Sequence, residues 1–160
     1  MKRLILLMLI IAAHTVHAVE VDHVLVKKSE RQLLLMSGTK VVKSYPISLG
    51  DQPIGHKQRE GDEKTPEGQY VLDWRNPDSR FYKSIRISYP NDADQLRAKQ
   101  SNHSPGGDIF IHGLPNGISR LASTFKGRNW TDGCIAVNNN DHMEEIWQLV
   151  KDGTRITIRP

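Results

Sequence analysis

Apolar residues recur along this chain in short runs separated by turn formers. Val24-Leu25-Val26, Leu33-Leu34-Leu35-Met36 and Val41 to Ile47 follow one another closely, with Ser37-Gly38-Thr39 as a turn between the last two. Gaps this short predict a meander of antiparallel strands rather than alternating strands and helices. Pro46 falls near the end of its run, where a strand edge or terminus tolerates the missing N–H. Strand patterns return at Gln69–Trp74 and Ser84–Tyr89. Between Ile47 and Gln69, residues 50 to 68 are turn-rich and charged, which predicts a long loop of the kind that often carries function. After Pro90, Asn91 or Asp92 can cap a short helix running to about Gln100, and Ser101 to Asp108 reads as another loop. Ile109-Phe110-Ile111 is a short apolar strand with His112 at its exit. Residues 116 to 130 read as a helical turn and loop, and Cys134–Val137 begins a strand. One helix is marked by periodicity: Met143, Ile146, Trp147 and Val150 share a face from about Asp141 to Gly153. Asp141 and Glu144 have capping-box spacing. Thr154 to Ile158 closes the chain as a strand, so the pattern predicts a mainly β domain with a packed C-terminal helix and one or two short helices.

The N-terminus changes where this domain is expected to work. Lys2 and Arg3 precede an apolar run from Leu4 to Ala13, and Val16-His17-Ala18 offers a cleavage site. This is the layout of a secretory signal. Residues 1–18 are read as signal peptide and residues 19–160 as one domain, exported from the cytoplasm. The apolar run is shorter than the roughly twenty residues that span a bilayer, so no stable membrane insertion is expected after cleavage. The whole chain carries 22 basic and 18 acidic residues, a net charge of +4. Without Lys2 and Arg3 the excess is slight, and no basic tract argues for nucleic acid. One cysteine allows no internal disulfide, so packing must supply the stability.

That cysteine is the chemical centre of the sequence. Cys134 lies in Trp130-Thr131-Asp132-Gly133-Cys134-Ile135-Ala136-Val137. A thiol attacks as thiolate, and a histidine within reach can take its proton and return it to a leaving amine. Gly133 lets substrate approach the sulfur, and a tight turn there would free backbone N–H groups for an oxyanion. Of seven histidines, His14 and His17 leave with the signal. His23 and His142 read as surface residues, and His56 and His103 lie in loops. His112 is the favoured base because it leaves a buried strand and precedes Gly113. The competing readings are a buried structural cysteine and a hydrogen-bonding structural histidine. A metal site is not expected: there is no H-E-x-x-H, one cysteine cannot build a thiolate zinc site, and nothing requires His103, Asp108 and His112 to meet. No organic cofactor is implied either.

Three segments together resemble the L,D-transpeptidase family, the YkuD-type catalytic domain. They are Lys64-Thr65-Pro66-Glu67-Gly68-Gln69-Tyr70, Ile109-Phe110-Ile111-His112-Gly113 and Thr131-Asp132-Gly133-Cys134-Ile135. The resemblance implies a β-sandwich with a packed helix, a periplasmic location and a Cys–His site acting on peptidoglycan stem peptides. It assigns the nucleophile to Cys134 and the base to His112. The Gly113 carbonyl would orient the imidazole, and the Gly133 and Cys134 amides would hold the oxyanion. The sulfur would attack the meso-diaminopimelate carbonyl and expel D-alanine, and the acyl group would pass to an amine. Two positions depart from the family pattern. Asp132 stands where a histidine is usual and is expected to point away or to meet a cationic substrate group. Ala136 stands where an arginine is common, leaving Arg128, Arg120 or Lys64 to meet a substrate carboxylate. The expectation is a monomeric transpeptidase. The alternatives are a hydrolase using the same site (carboxypeptidase, endopeptidase or amidase) and an inactive peptidoglycan-binding protein.

Overall fold

The computed structural model describes residues 20–118, 125 and 127–160. The expected signal peptide, Arg120 and part of the helical turn expected within 116–130 lie outside the described residues. Among the described residues, eight strands and two helices follow in chain order: β1 His23–Lys27, β2 Gln32–Ser37, β3 Lys40–Ser48, β4 Gly68–Asn76, β5 Ser84–Ile87, α1 Asp92–Gln100, β6 Phe110–His112, β7 Ile135–Val137, α2 Asn140–Leu149 and β8 Thr154–Arg159.

The strands form one closed sheet in the order β1-β2-β3-β7-β6-β5-β4-β8. This corrects the expected two-sheet sandwich. The ring closes because β8 is bonded on both sides, parallel to β1 and antiparallel to β4. Closure removes the exposed strand edges that an open sheet must protect. The meander holds for β1, β2 and β3, which are antiparallel neighbours. β6 and β7 run parallel, with Ile111 beside Ile135 and His112 beside Ala136. Val24, Val26, Leu33, Leu35, Ile47, Leu72, Ile85, Ile111, Ile135 and Ile156 fill the core. The period-two alternation of β1 and β8 sends every second side chain inward, as pleating requires.

α2 adds its apolar face to that core through Met143, Ile146 and Val150, with Trp147 partly buried beside them. Its N-cap is Asn139, whose side chain accepts the His142 N–H at 2.7 Å. The capping box read at Asp141 is therefore displaced by two residues, because the Asn-rich run before it supplies an earlier acceptor. The helix ends at Leu149, before Gly153.

α1 is held by polar contacts, since only Asp94 and Ala98 are buried along it. Asn91 caps it in a reciprocal box with Asp94. The same carboxylate accepts the Tyr70 hydroxyl at 2.9 Å and pairs with His56 and Arg97.

The long loop between β3 and β4 is anchored by Lys28, which is almost wholly buried. Its Nζ donates to the carbonyls of Gly55 (2.7 Å) and Thr65 (2.9 Å) and pairs with Glu67 (2.8 Å). A buried ammonium is tolerable because all three of its protons find acceptors.

Candidate active site

Register places Cys134 and His112 on one face of the sheet. Cys134 immediately precedes β7, so extending the parallel pairing by one residue sets it next to Phe110. Alternation then puts Cys134 on the same face as Ala136, and hence as His112. Both side chains line one cleft of about 650 Å³, with Trp74, Arg80, Phe81, Asp108, Trp130 and Asp132 among its other walls.

The turn that carries Cys134 is tied at several points. The Asp51 N–H donates to the Thr131 carbonyl at 3.0 Å. The Thr131 hydroxyl donates to the Cys134 carbonyl at 2.7 Å and accepts the Gly133 N–H at 3.3 Å. Gly133 has φ of 126°, and a Cβ there would stand 2.6 Å from the Lys64 carbonyl oxygen. No other residue fits that backbone without moving the Lys64–Thr65 segment. Thr65 in turn is buried, and its hydroxyl accepts the Gly50 N–H at 3.1 Å. The Lys64-Thr65-Pro66 segment therefore acts as a backbone wedge beneath the Cys134 turn.

His112 is 3% exposed. Its Nδ1 lies 2.7 Å from the Gly113 carbonyl. A carbonyl only accepts, so Nδ1 carries the proton and Nε2 keeps its lone pair. The ring sits against Phe81 (centroids 4.5 Å apart) and Trp130 (5.6 Å). Gly113 must be small, since a Cβ there would meet the Asn140 side-chain oxygen at 2.8 Å. Burial pushes the His112 pKa down to about 4, with the Gly113 contact opposing the shift. Burial likewise pushes the Cys134 thiol up to about 11. The carboxylates of Asp132 and Asp108 add to that rise, while a Phe110 backbone hydrogen bond and the Lys57 charge oppose it. At neutral pH the pair is thus a thiol beside a neutral imidazole. The thiol points at the Asp108 carbonyl, 3.5 Å away.

The residues singled out in the sequence divide into three groups. Cys134, His112 and Asp132 line the cleft, and Gly113 and Gly133 shape it from below. Lys64 lines a separate depression with Arg59, Asp62, Arg97 and His103. Arg128 is exposed and does not line the cleft. Sequence reasoning missed Arg80, Phe81 and Asp108 as wall residues. Arg80 and Phe81 come from the β4–β5 connection, which carries no periodic signal. Trp130, adjoining the cysteine motif, was the legible one. Among the described residues no three His, Cys, Asp or Glu side chains gather in a metal-binding group, and no described helix is long and apolar enough to cross a membrane.

A model of the YkuD family, the L,D-transpeptidase catalytic domain, matches residues 21–158. YafK of Escherichia coli strain K12, named for the same family, is 36% identical over 110 residues, which are 67% of this chain and 36% of YafK. The crystal structure of the helical cell shape determining protein Pgp2 from Campylobacter jejuni superposes with a TM-score of 0.63 at 26% identity, covering 87% of this chain and 47% of Pgp2. Bd1075 of Bdellovibrio bacteriovorus gives a TM-score of 0.57 at 26% identity, over 88% and 48% of the two chains. The chain thus spans about a third of the length of YafK and about half of these two structures. A family match over nearly all of the described barrel, with the thiol and imidazole facing one cleft, leads to one conclusion: this chain belongs to the L,D-transpeptidase catalytic-domain (YkuD) family.

Proposed function

We infer that the protein is a periplasmic cysteine acyltransferase that remodels peptidoglycan through its stem peptides. The observation that carries this reading is a thiol and a buried imidazole on one cleft, with Nδ1 fixed on Gly113 so that Nε2 is the free base. The Cys134 proton passes to Nε2 as the sulfur bonds to the diaminopimelate carbonyl carbon. The oxyanion collects backbone N–H donation at the Cys134 turn. The Gly133 amide already contacts Thr131 at 3.3 Å, so the Cys134 amide is the first donor. Collapse breaks the C–N bond, and Nε2–H protonates the departing D-alanine amine. The thioester then passes to an acceptor amine, with its proton taken by the same nitrogen. Asp132, exposed on the cleft wall, faces a cationic group of the substrate. The likeness to a cell-shape determinant supports a role in wall remodelling.

Hydrolysis is the second reading. Arg80, Asp108 and Asp132 are exposed along the walls, which leaves the thioester open to water. Mass spectrometry of residues 19–160 with disaccharide-tetrapeptide muropeptides, beside Cys134→Ala, separates the two. Crosslinked dimers that require Cys134 establish transfer. Tripeptide alone establishes hydrolysis. If neither forms and no acyl group appears on Cys134, the donor assignment is wrong.

A further inference from the structure

The charges of the cleft are unevenly spread. Asp132 and Asp108 act on the Cys134 sulfur, and Asp78 lies on the wall with them. Arg80 is the one lysine or arginine among the described lining residues. It is exposed, and its guanidinium forms no hydrogen bond or ion pair with any described residue, Asp78 included. Arg31, Arg75, Arg86 and Arg97 are all engaged with neighbouring side chains.

The main chain of Arg80 is, by contrast, fixed. Its carbonyl accepts the Asn116 N–H at 3.0 Å. The Asn116 amide donates to the Ser79 carbonyl at 3.0 Å and accepts the Tyr82 N–H at 2.9 Å. Phe81 accepts the Gly113 N–H at 3.0 Å, and its ring rests on His112. A free guanidinium is thus carried on a backbone locked to the base. In a cleft whose other fixed charges are negative, it lacks only an anion from outside. The planar fork of arginine suits a carboxylate better than the point charge of lysine.

Resting on the peptidoglycan reading above, we propose that Arg80 is a specificity-determining residue that pairs with a free carboxylate of the stem peptide, while Asp132 and Asp108 face its ammonium group. The cleft then selects a peptide bearing both charges near the scissile carbonyl. Two carboxylates share the required chemistry: the C-terminal one of the departing D-alanine, and the one on the side-chain centre of diaminopimelate.

Trp74 and Trp130 line the cleft, so intrinsic fluorescence of Cys134→Ala reports binding of disaccharide-tetrapeptide without turnover. Adding Arg80→Gln weakens that binding roughly 10- to 100-fold, the range for losing a charge-assisted hydrogen bond. Arg80→Lys recovers part of it. In the active protein the loss falls mainly in KM. Amidating either carboxylate of the peptide identifies the partner: the modification that abolishes the Arg80→Gln effect has removed it. Equal affinity of Cys134→Ala with and without Arg80→Gln overturns the assignment of Arg80 and leaves the peptidoglycan reading standing. If neither variant binds and the wild type forms no acyl-enzyme, both are overturned.

Discussion

At the scale of single residues, burial sets the chemistry of the dyad. A thiol near 11 is ionised in about one molecule in ten thousand at pH 7, so the proposed mechanism has Cys134 pass its proton to His112 during attack rather than rely on standing thiolate. Alkylation of Cys134 by iodoacetamide is therefore expected to climb about tenfold per pH unit through pH 9. A plateau at neutral pH would show an ion pair instead. His112→Gln is expected to slow acyl transfer by roughly 10²- to 10⁴-fold, the usual worth of a general base. The same histidine links stability to pH. Its folded pKa lies near 4, below the ordinary 6.5, so the unfolded chain binds the proton first. Stability present above pH 6.5 is lost as pH falls from 6.5 towards 4, by roughly 3 kcal/mol at most. Urea midpoints across that window should flatten in His112→Gln. An unchanged slope would assign the acid sensitivity to other groups. Cys134 and His112 were legible as candidates, the first as the one cysteine of an exported chain and the second as the residue that leaves an apolar strand. Arg80 was not, because nothing in the β4–β5 connection distinguishes it until the chain is folded.

Among the elements, the long loop before β4 is the one whose role was half legible. Its Lys64-Thr65-Pro66-Glu67-Gly68 segment stood out in the sequence, and Lys64 was read as a substrate contact. The structure turns the Lys64 side chain to another depression and puts its carbonyl under Gly133. A sequence names the side chain, whereas the contact is made by the backbone. Lys28, just past the end of β1, holds this wedge in place at long range. Lys28→Met would keep the packing but leave two carbonyls and Glu67 without their shared donor. Such a loss of a buried charge partner costs about 3–5 kcal/mol. Amide hydrogen exchange should rise across residues 55–67 before it rises in β1. Uniform protection would mean the loop does not depend on Lys28. Gly133→Ala tests the other face of the wedge. The strained φ and the close Lys64 oxygen predict about 1–3 kcal/mol of lost stability together with impaired acyl transfer.

Across the whole molecule, strand positions were readable and strand partners were not. Alternation fixes which face of β8 is buried, but not that it bonds to β1, more than a hundred residues earlier. That pairing turns an expected sandwich into a ring. A chain cut before Thr154 would strip β1 and β4 of one neighbour each and open the ring, and near-UV circular dichroism should show no fixed tertiary packing. A native-like spectrum would show that the ring is dispensable. The parallel pairing of β6 and β7 has its own consequence. Parallel neighbours cannot be joined by a tight turn, so the chain must leave the ring after His112 and come back before Ile135. That obligatory detour returns through Trp130, Thr131, Asp132 and the thiol itself. The described residues between Pro115 and Asn129 enter no strand pairing. Phe125 of this detour rests against the cleft's Trp130, with ring centroids 4.8 Å apart, so a change of length there is expected to reach the cleft wall while the ring's own pairings stay as they are, and a lineage can change its substrate without first having to rebuild its fold.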